Sequence, residues 1–372
     1  MTHPYSDLPP QAFWKTGVVQ TDKARWPDVF TPKFQITPHS AIATAGSCFA
    51  QRIRQALAGE NIPILDAEPT PPEFNETLAK EFGYGLHSAR YGNIYTPRQL
   101  LELLKDVADN RVDEALFWQK DQRFFDALRP NVEPEGCVSL KEAVELRYQH
   151  LARVKALVET ADVFVFTLGL TEAWIHLPTG RTLPVAPGVI AGEYDPELYK
   201  FTNFTHAQMF RDLKAIRRLF KRFNRGLKLV LTTSPVPITA TASGQHVLVA
   251  STYTKSTLRS VAGEIAMKFH NVDYFPGYEL VTTWGRDDAA YAPNLRTIRP
   301  EVVAEVMAIF LDAYGLRQKE GTAGAVALKT PQARPFEGLD EDRDEDRDED
   351  SDDNDADDDL VCEEILLEAF QK

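Results

Sequence analysis

A hydroxyl and a thiol stand side by side at Ser47 and Cys48, where the chain changes character. From Ala41 to Gly46 the sequence is short and apolar. From Phe49 onward the apolar residues recur at helical spacing, with Ile53, Ala56 and Leu57 on one face. That pattern is a strand, a tight turn and a helix. Gly46 allows the bend because it has no Cβ to clash. The first amides of a helix have no intrahelical acceptors and offer their hydrogens to whatever lies at the turn. Two readings of Ser47 follow. Its oxygen caps the helix, or it is a nucleophile beside ready-made oxyanion donors. Cys48 is an alternative nucleophile, since a helix N-terminus lowers a thiol pKa. Following Ser47 directly, it is expected to point into the helix packing.

The elements around this turn follow from pattern. Residues 1–40 are rich in proline and aromatics (Phe13, Trp14, Trp26, Phe30, Phe34) and read as an extended arm packed on the body. Ile62 to Leu65 reads as a short second strand. Thr96 is placed to cap a helix whose first residue is Pro97, where the missing N–H costs nothing. Leu100, Leu101, Leu104 and Val107 form its buried stripe. A loop or short hairpin carries Trp118 and Phe124-Phe125. Ser139, with Glu142 three residues on, opens a long helix. Val163 to Phe166 is apolar on both faces, as a strand inside a parallel sheet must be. Residues 176–203 form a long excursion rich in proline and glycine, and long loops in compact domains are often functional. A basic amphipathic helix at 205–223, the strand LKLVLTT, a helix running to about Phe269, a strand at Asn271 to Phe275 and a helix near 300–314 complete the body. Strand and helix alternate, which predicts an α/β fold with a doubly wound parallel sheet. Sites in such sheets lie beyond the carboxyl ends of the strands. The polar clusters fall there: Ser47, Gly169 to Glu172, Ser234 to His246, and Tyr278 to Asn294.

Composition narrows the classes. The net charge of −14 is concentrated in residues 340–359, where fifteen Asp or Glu stand against two Arg, so the rest of the chain is nearly neutral. That argues against a nucleic-acid surface. The acidic run is self-repelling, and residues 319–359 read as a disordered linker. Residues 360–372 read as a short amphipathic segment, a candidate contact for a protein partner. No apolar run is long enough to span a membrane, and the N-terminus lacks the basic and apolar regions of a secretory signal. Cys48, Cys137 and Cys362 are too few and too scattered for a disulfide framework or a zinc site, so a reducing cytoplasm is the expected compartment. Without a phosphate loop, dinucleotide fingerprint or metal cluster, no cofactor is expected.

Gly46-Ser47-Cys48-Phe49-Ala50 spells the signature of the GSCFA domain family, a group similar to SGNH-type hydrolases and PC-esterases. YGNIYTPRQLL, DVFVFTLGLTEAW, TTSPVPITATAS, HVLVASTYTKSTLR and VDYFPGYEL resemble further blocks of that family in order, over roughly residues 30–315. The resemblance implies a flavodoxin-like three-layer α/β/α sandwich of the SGNH-hydrolase type over residues 41–318. It also implies serine-centred ester hydrolysis or O-acyl transfer, on an acylated carbohydrate or another polar ester. Ser47 then matches the nucleophile, with the Ser47 and Cys48 amides facing the oxyanion and Gly92 or Asn93 as a second donor. Gly169 matches the glycine of a GxND-like block, and Thr171 stands where the pattern places an oxyanion-binding Asn. The last block departs from the pattern. An Asp and a His are expected after the final strand, but this chain has Asn294 and Arg296, and arginine cannot act as a base. A serine needs one. His246 is the histidine on the correct edge, oriented by Glu172, Asp273 or Asp287; His206 and His176 are secondary. Lys255 and Arg296 are candidates to hold a substrate anion. The alternative is a glycan- or protein-binding scaffold without turnover.

Overall fold

The computed structural model describes residues 3–286 and 288–317; Asp287, the acidic run, Cys362 and the segment 360–372 lie outside them. The core is a parallel sheet of β1 (Ile42–Gly46), β4 (Val163–Leu168), β8 (Lys228–Thr233) and β9 (Val272–Tyr274), in the order β1-β4-β8-β9. Ile64 adds a single parallel bridge to Ile42 at the outer edge of β1. The expected second strand is therefore present only as one bridge, with Leu65 N–H donating to Ile42 O at 2.8 Å. Pro63, which has no N–H, sits inside that stretch and limits its pairing.

The strands bury both faces, and alternate residues go to different helix layers. Ala43, Ala45, Phe164, Phe166, Leu229 and Leu231 meet α3 (Pro97–Asp109), α4 (Leu140–Thr160), α5 (His206–Phe223) and α6 (Val247–Lys268). Ile42, Val163, Val165 and Val230 meet α1 (Phe49–Gly59), α7 (Gly277–Thr282) and α8 (Pro300–Ala313). This is a three-layer α/β/α arrangement, as the alternation of elements predicts. The remaining short helix, α2 (Glu76–Glu81), lies between α1 and α3 in sequence. The arm packs on the α1/α8 layer through Trp26 and Ile36, with Phe30 edge-on to Phe275 and Tyr314.

The helix starts are chemically specified. Thr96 accepts from Gln99 N–H at 3.2 Å while Gln99 Oε1 accepts from Thr96 N–H at 2.9 Å. This reciprocal capping box satisfies two donors at once. Ser139 accepts from Glu142 N–H at the start of α4.

The excursion at 176–203 is not a loop. With Glu172–His176 as its central strand, β5, it folds into a three-stranded antiparallel sheet with β6 (Arg181–Leu183) and β7 (Tyr199–Asn203). Its strands are short and broken by Pro and Gly, so their periodicity is too weak to read. The hairpin of β2 (Phe117–Lys120) and β3 (Arg123–Asp126) packs on this sheet, and Trp118 Nε1–H donates to Tyr199 Oη at 3.0 Å.

Candidate active site at the carboxyl edge of the sheet

The turn after β1 is built around Gly46. Its φ of +138° is one that side-chain-bearing residues rarely adopt, and a Cβ there would meet Thr167 N at 2.7 Å. The chain therefore passes flush against β4 and leaves Ser47 over the sheet edge. Ser47 is 2% exposed. Its N–H donates to Thr167 O at 3.1 Å, and its carbonyl accepts from Ala50 N–H at 2.8 Å. Its hydroxyl is buried and makes no hydrogen bond within the protein. The capping interpretation of Ser47 thus fails on geometry, since no first-turn amide donates to Oγ. The Ser47 amide is also spent on Thr167 and does not face an oxyanion. Cys48 occupies the cap position of α1 and is fully buried, as the packing argument expects.

Two segments close around Ser47. Residues 87–95 run beside β1: Ser88 N–H donates to Thr44 O at 3.2 Å and Ile94 N–H to Gly46 O at 2.9 Å. Gly92 turns with φ +67°. Asn93 is buried, and its Oδ1 lies 3.3 Å from His87 Nε2. The segment after β4 brings Gly169 against the serine. A Cβ on Gly169 would stand 3.0 Å from Ser47 Cβ and 3.1 Å from Tyr95 Cδ1. Gly169 N–H donates to Tyr95 O at 2.9 Å, and its carbonyl accepts from the buried Lys255 Nζ at 2.9 Å. Gly169 is thus a close-approach residue whose own amide is already committed.

Thr171 donates to Asn203 Oδ1 at 2.8 Å and shares a contact with Thr254 Oγ1 at 3.0 Å, so its hydroxyl belongs to an interior network. Glu172 ends that network. It is 1% exposed, and Oε1 accepts from Asn203 Nδ2 at 3.1 Å and Thr241 Oγ1 at 3.4 Å. Burial pushes its carboxyl up to about 8, offset in part by the Thr241 hydrogen bond. At neutral pH it is a neutral acid.

His246 is exposed and caps α6, its Nδ1 accepting from Leu248 N–H at 3.2 Å. It does not bond Ser47 in this conformation. Asp273 is held under the arm by Lys33 N–H and Tyr314 Oη–H. His176 is anchored by Thr179, and His206 lies 3.5 Å from Glu264. Asn294 is exposed and ties a tight turn, accepting from Arg296 N–H at 3.1 Å and Thr297 N–H at 2.9 Å.

The GSCFA family model matches residues 41–310. The chain belongs to the GSCFA family. The matched span starts one residue before β1 and ends within α8, so in this GSCFA protein it takes in the whole parallel sheet and all of its helix layers but the end of α8. No curated protein matches the sequence. Among the described residues, no group of three or more His, Cys, Asp or Glu is arranged to hold a metal, and no helix is long and apolar enough to cross a membrane.

Two features of the site escaped sequence reasoning. His87 stands beside the YGN block yet is not part of any motif. Thr167 and Thr232 occupy neighbouring positions on one rung with Gly46, and both carry buried hydroxyls that make no hydrogen bond within the protein, as does Thr44. Their signal was present as polar residues at the carboxyl ends of otherwise apolar strands.

Proposed function

We propose that this GSCFA protein performs serine-centred acyl chemistry, as hydrolysis of an ester or transfer of its acyl group to a hydroxyl of a carbohydrate or similarly polar acceptor. One observation carries the reading. The Ser47 hydroxyl is buried at the carboxyl edge of the sheet and is used for no cap and no protein hydrogen bond. Leaving a buried donor unmade costs on the order of 1–3 kcal/mol, so such a group calls for a reason. A role in an acyl-enzyme is such a reason.

In this mechanism Ser47 Oγ attacks the ester carbonyl and its proton passes to a base. The tetrahedral oxyanion is met by N–H donors from the Gly92-Asn93 segment and the start of α1. Collapse releases the alcohol, and water or an acceptor hydroxyl then takes the acyl group. His246 is the proposed base, acting after its ring leaves the Leu248 amide. A neutral Glu172 fits a hydrogen-bond donor better than a charged partner for an imidazole. Lys255 and Arg296 supply positive charge for an anionic substrate group. Cys48 and Cys137, neither of them in a disulfide, fit a reducing compartment, the cytoplasm.

The test is labelling by a fluorophosphonate probe together with turnover of p-nitrophenyl acetate and acetylated glycans. Labelling and turnover that vanish in Ser47→Ala are expected. Equal rates in both proteins, or none in either, would remove the reading. The second reading is ligand binding without turnover, favoured by an imidazole that caps a helix instead of meeting the serine. It calls for saturable glycan binding that Ser47→Ala leaves intact.

A further inference from the structure

We propose that residues 237–246 form a lid over Ser47, shut in this structure, with Ile238 as its plug. An ester reaches the serine when Ile238 lifts away from Tyr95, Leu170 and Ala250. The inference rests on the serine-centred reading for its purpose, substrate entry, and on the packing around Gly169 for its geometry.

A buried hydroxyl cannot meet an ester until something over it moves. Ser47 is 2% exposed and its Oγ is buried. Its Cβ lies against Gly169, where an added Cβ would stand 3.0 Å away. Beside Gly169 is a small apolar cluster of Tyr95, Leu170, Ile238 and Ala250, with Val247 packed against it, separate from the larger cores. Tyr95 Cδ1 comes within 3.1 Å of the same Cβ position, and Leu170 is the next residue along the chain. Small satellite clusters of this kind form under long loops.

The segments that meet at this cluster are held in different ways. Residues 87–95 are pinned to β1 by backbone bonds, Ser88 N–H to Thr44 O and Ile94 N–H to Gly46 O. Gly169 and Leu170 N–H both donate to Tyr95 O, at 2.9 and 3.1 Å. Ala250 belongs to α6. Ile238 comes from the stretch between β8 and α6, which forms no helix or strand. Four amides of that stretch are answered by hydroxyls. Val236 N–H donates to Ser234 Oγ and Gln245 N–H to Ser243 Oγ, both at 3.4 Å. Ile238 N–H donates to Ser251 Oγ at 3.3 Å and Ser243 N–H to Thr241 Oγ1 at 3.1 Å. Long bonds to rotatable hydroxyls open at lower cost than a sheet ladder. The root of the loop is fixed, since Val236 packs in the α1/α8 layer and Pro235 O accepts from Tyr291 Oη–H at 2.8 Å. The moving part therefore starts at Pro237 and ends on His246, so the lift that uncovers the hydroxyl also moves the proposed base.

Access can be measured without relying on catalysis. In the full chain, Ser47→Cys with Cys48→Ala puts one thiol at the site, and its alkylation by iodoacetamide reports exposure. Adding Ile238→Ala is expected to raise the alkylation rate about tenfold or more, since truncating a buried isoleucine weakens the closed state. Ile216→Ala removes the same atoms from α5 in the main core. It should leave the rate within about twofold, because local opening does not draw on that core. Thermal melts show that each variant compared is folded. An unchanged rate in Ile238→Ala would overturn the proposal. Equal rises in both variants would assign access to global unfolding and overturn it too. Fluorophosphonate labelling of chains that keep Ser47 separates the two readings. If alkylation follows Ile238 while no labelling depends on Ser47, the lid stands and the serine-centred reading falls. If labelling depends on Ser47 while alkylation ignores Ile238, this inference alone falls.

Discussion

The uncommitted hydroxyl of Ser47 separates this turn from an ordinary helix start. A serine after a strand and before a helix is most often a cap, and the geometry of α1 denies Ser47 that role because no amide donates to its oxygen. Ser47→Ala is therefore expected to abolish probe labelling while leaving the thermal midpoint unchanged or slightly raised, since it deletes an unsatisfied buried group. His246→Ala is expected to cost about 1 kcal/mol through loss of a helix cap and, if its imidazole is the base, to abolish labelling as well; retained labelling would remove His246 from the mechanism. Glu172 yields a pH signature. Its folded carboxyl titrates near 8 against an ordinary value of 4.5. Below both values the carboxyl is protonated folded or unfolded and has no effect. Between them the unfolded chain gives up a proton that the fold retains, so stability falls as pH rises from about 4.5 to 8 and is then level. Glu172→Gln should remove that component. Midpoints of denaturation measured at pH 5, 6.5 and 8.5 check it, and an identical slope in both proteins would contradict it.

At the scale of elements, Gly46 decides whether the first strand can turn into α1. A Cβ would press on the β4 backbone, and the positive φ adds strain. Gly46→Ala should destabilise by about 3 kcal/mol or more, read as a lower urea midpoint with an unchanged slope. The accessory sheet is tied to the body by charge. Asp106 on α3 accepts from Arg181 Nη1–H of β6 at 2.7 Å and from Arg147 Nη2–H of α4 at 3.3 Å, and all three side chains are buried. Beside it, Glu102 accepts from Thr182 N–H at 2.9 Å. Arg147 also faces Asp126 Oδ2 at 3.4 Å and Arg181 faces Glu102 Oε2 at 3.5 Å, so losing Asp106 leaves each arginine with one carboxylate. Asp106→Ala is expected to cost about 3 kcal/mol, and the same denaturant titration would show it. A cost under about 1 kcal/mol would mean that Asp126 and Glu102 alone satisfy the two arginines.

The molecule as a whole places its chemistry where an open parallel sheet can hold it. Helices α3 to α6 cover one face of the sheet and α1, α7 and α8 the other, which leaves the carboxyl edge to the loops. Ser47, the YGN segment, the Gly169 to Glu172 segment and the start of α6 come from four distant parts of the chain and meet there. The N-terminal arm completes the opposite layer. Lys33 N–H and Tyr314 Oη–H both donate to the buried Asp273, so the arm and the end of α8 share one acceptor at the last strand. Deleting residues 1–32 is expected to lower the melting midpoint and to raise binding of a hydrophobic dye, because Trp26 and Phe30 leave the α1/α8 layer. A truncated protein with an unchanged melt would show the arm to be a passive cover.

The sequence alone determined the order of the four main-sheet strands and the long helices, the cap residues Thr96 and Ser139, and the glycine-serine turn. Each of these is a local matter: the period of apolar residues, a side chain three positions from the amide it accepts from, a backbone angle that only glycine tolerates. The GSCFA motif came from the same local record. The tertiary structure decided what the side chains at the edge do. It committed the Ser47 and Gly169 amides to Thr167 and Tyr95, turned Thr171 inward, set His246 to cap α6 and brought His87 to Asn93. It also made a sheet of the segment read as a loop. Apart from the local His246 cap, those outcomes depend on contacts between residues from 6 to more than 100 positions apart, and on burial, which sets the charge state of Glu172 and His87. Neither the distances nor the burial are written in spacing or composition, because both arise only when the layers close on the sheet.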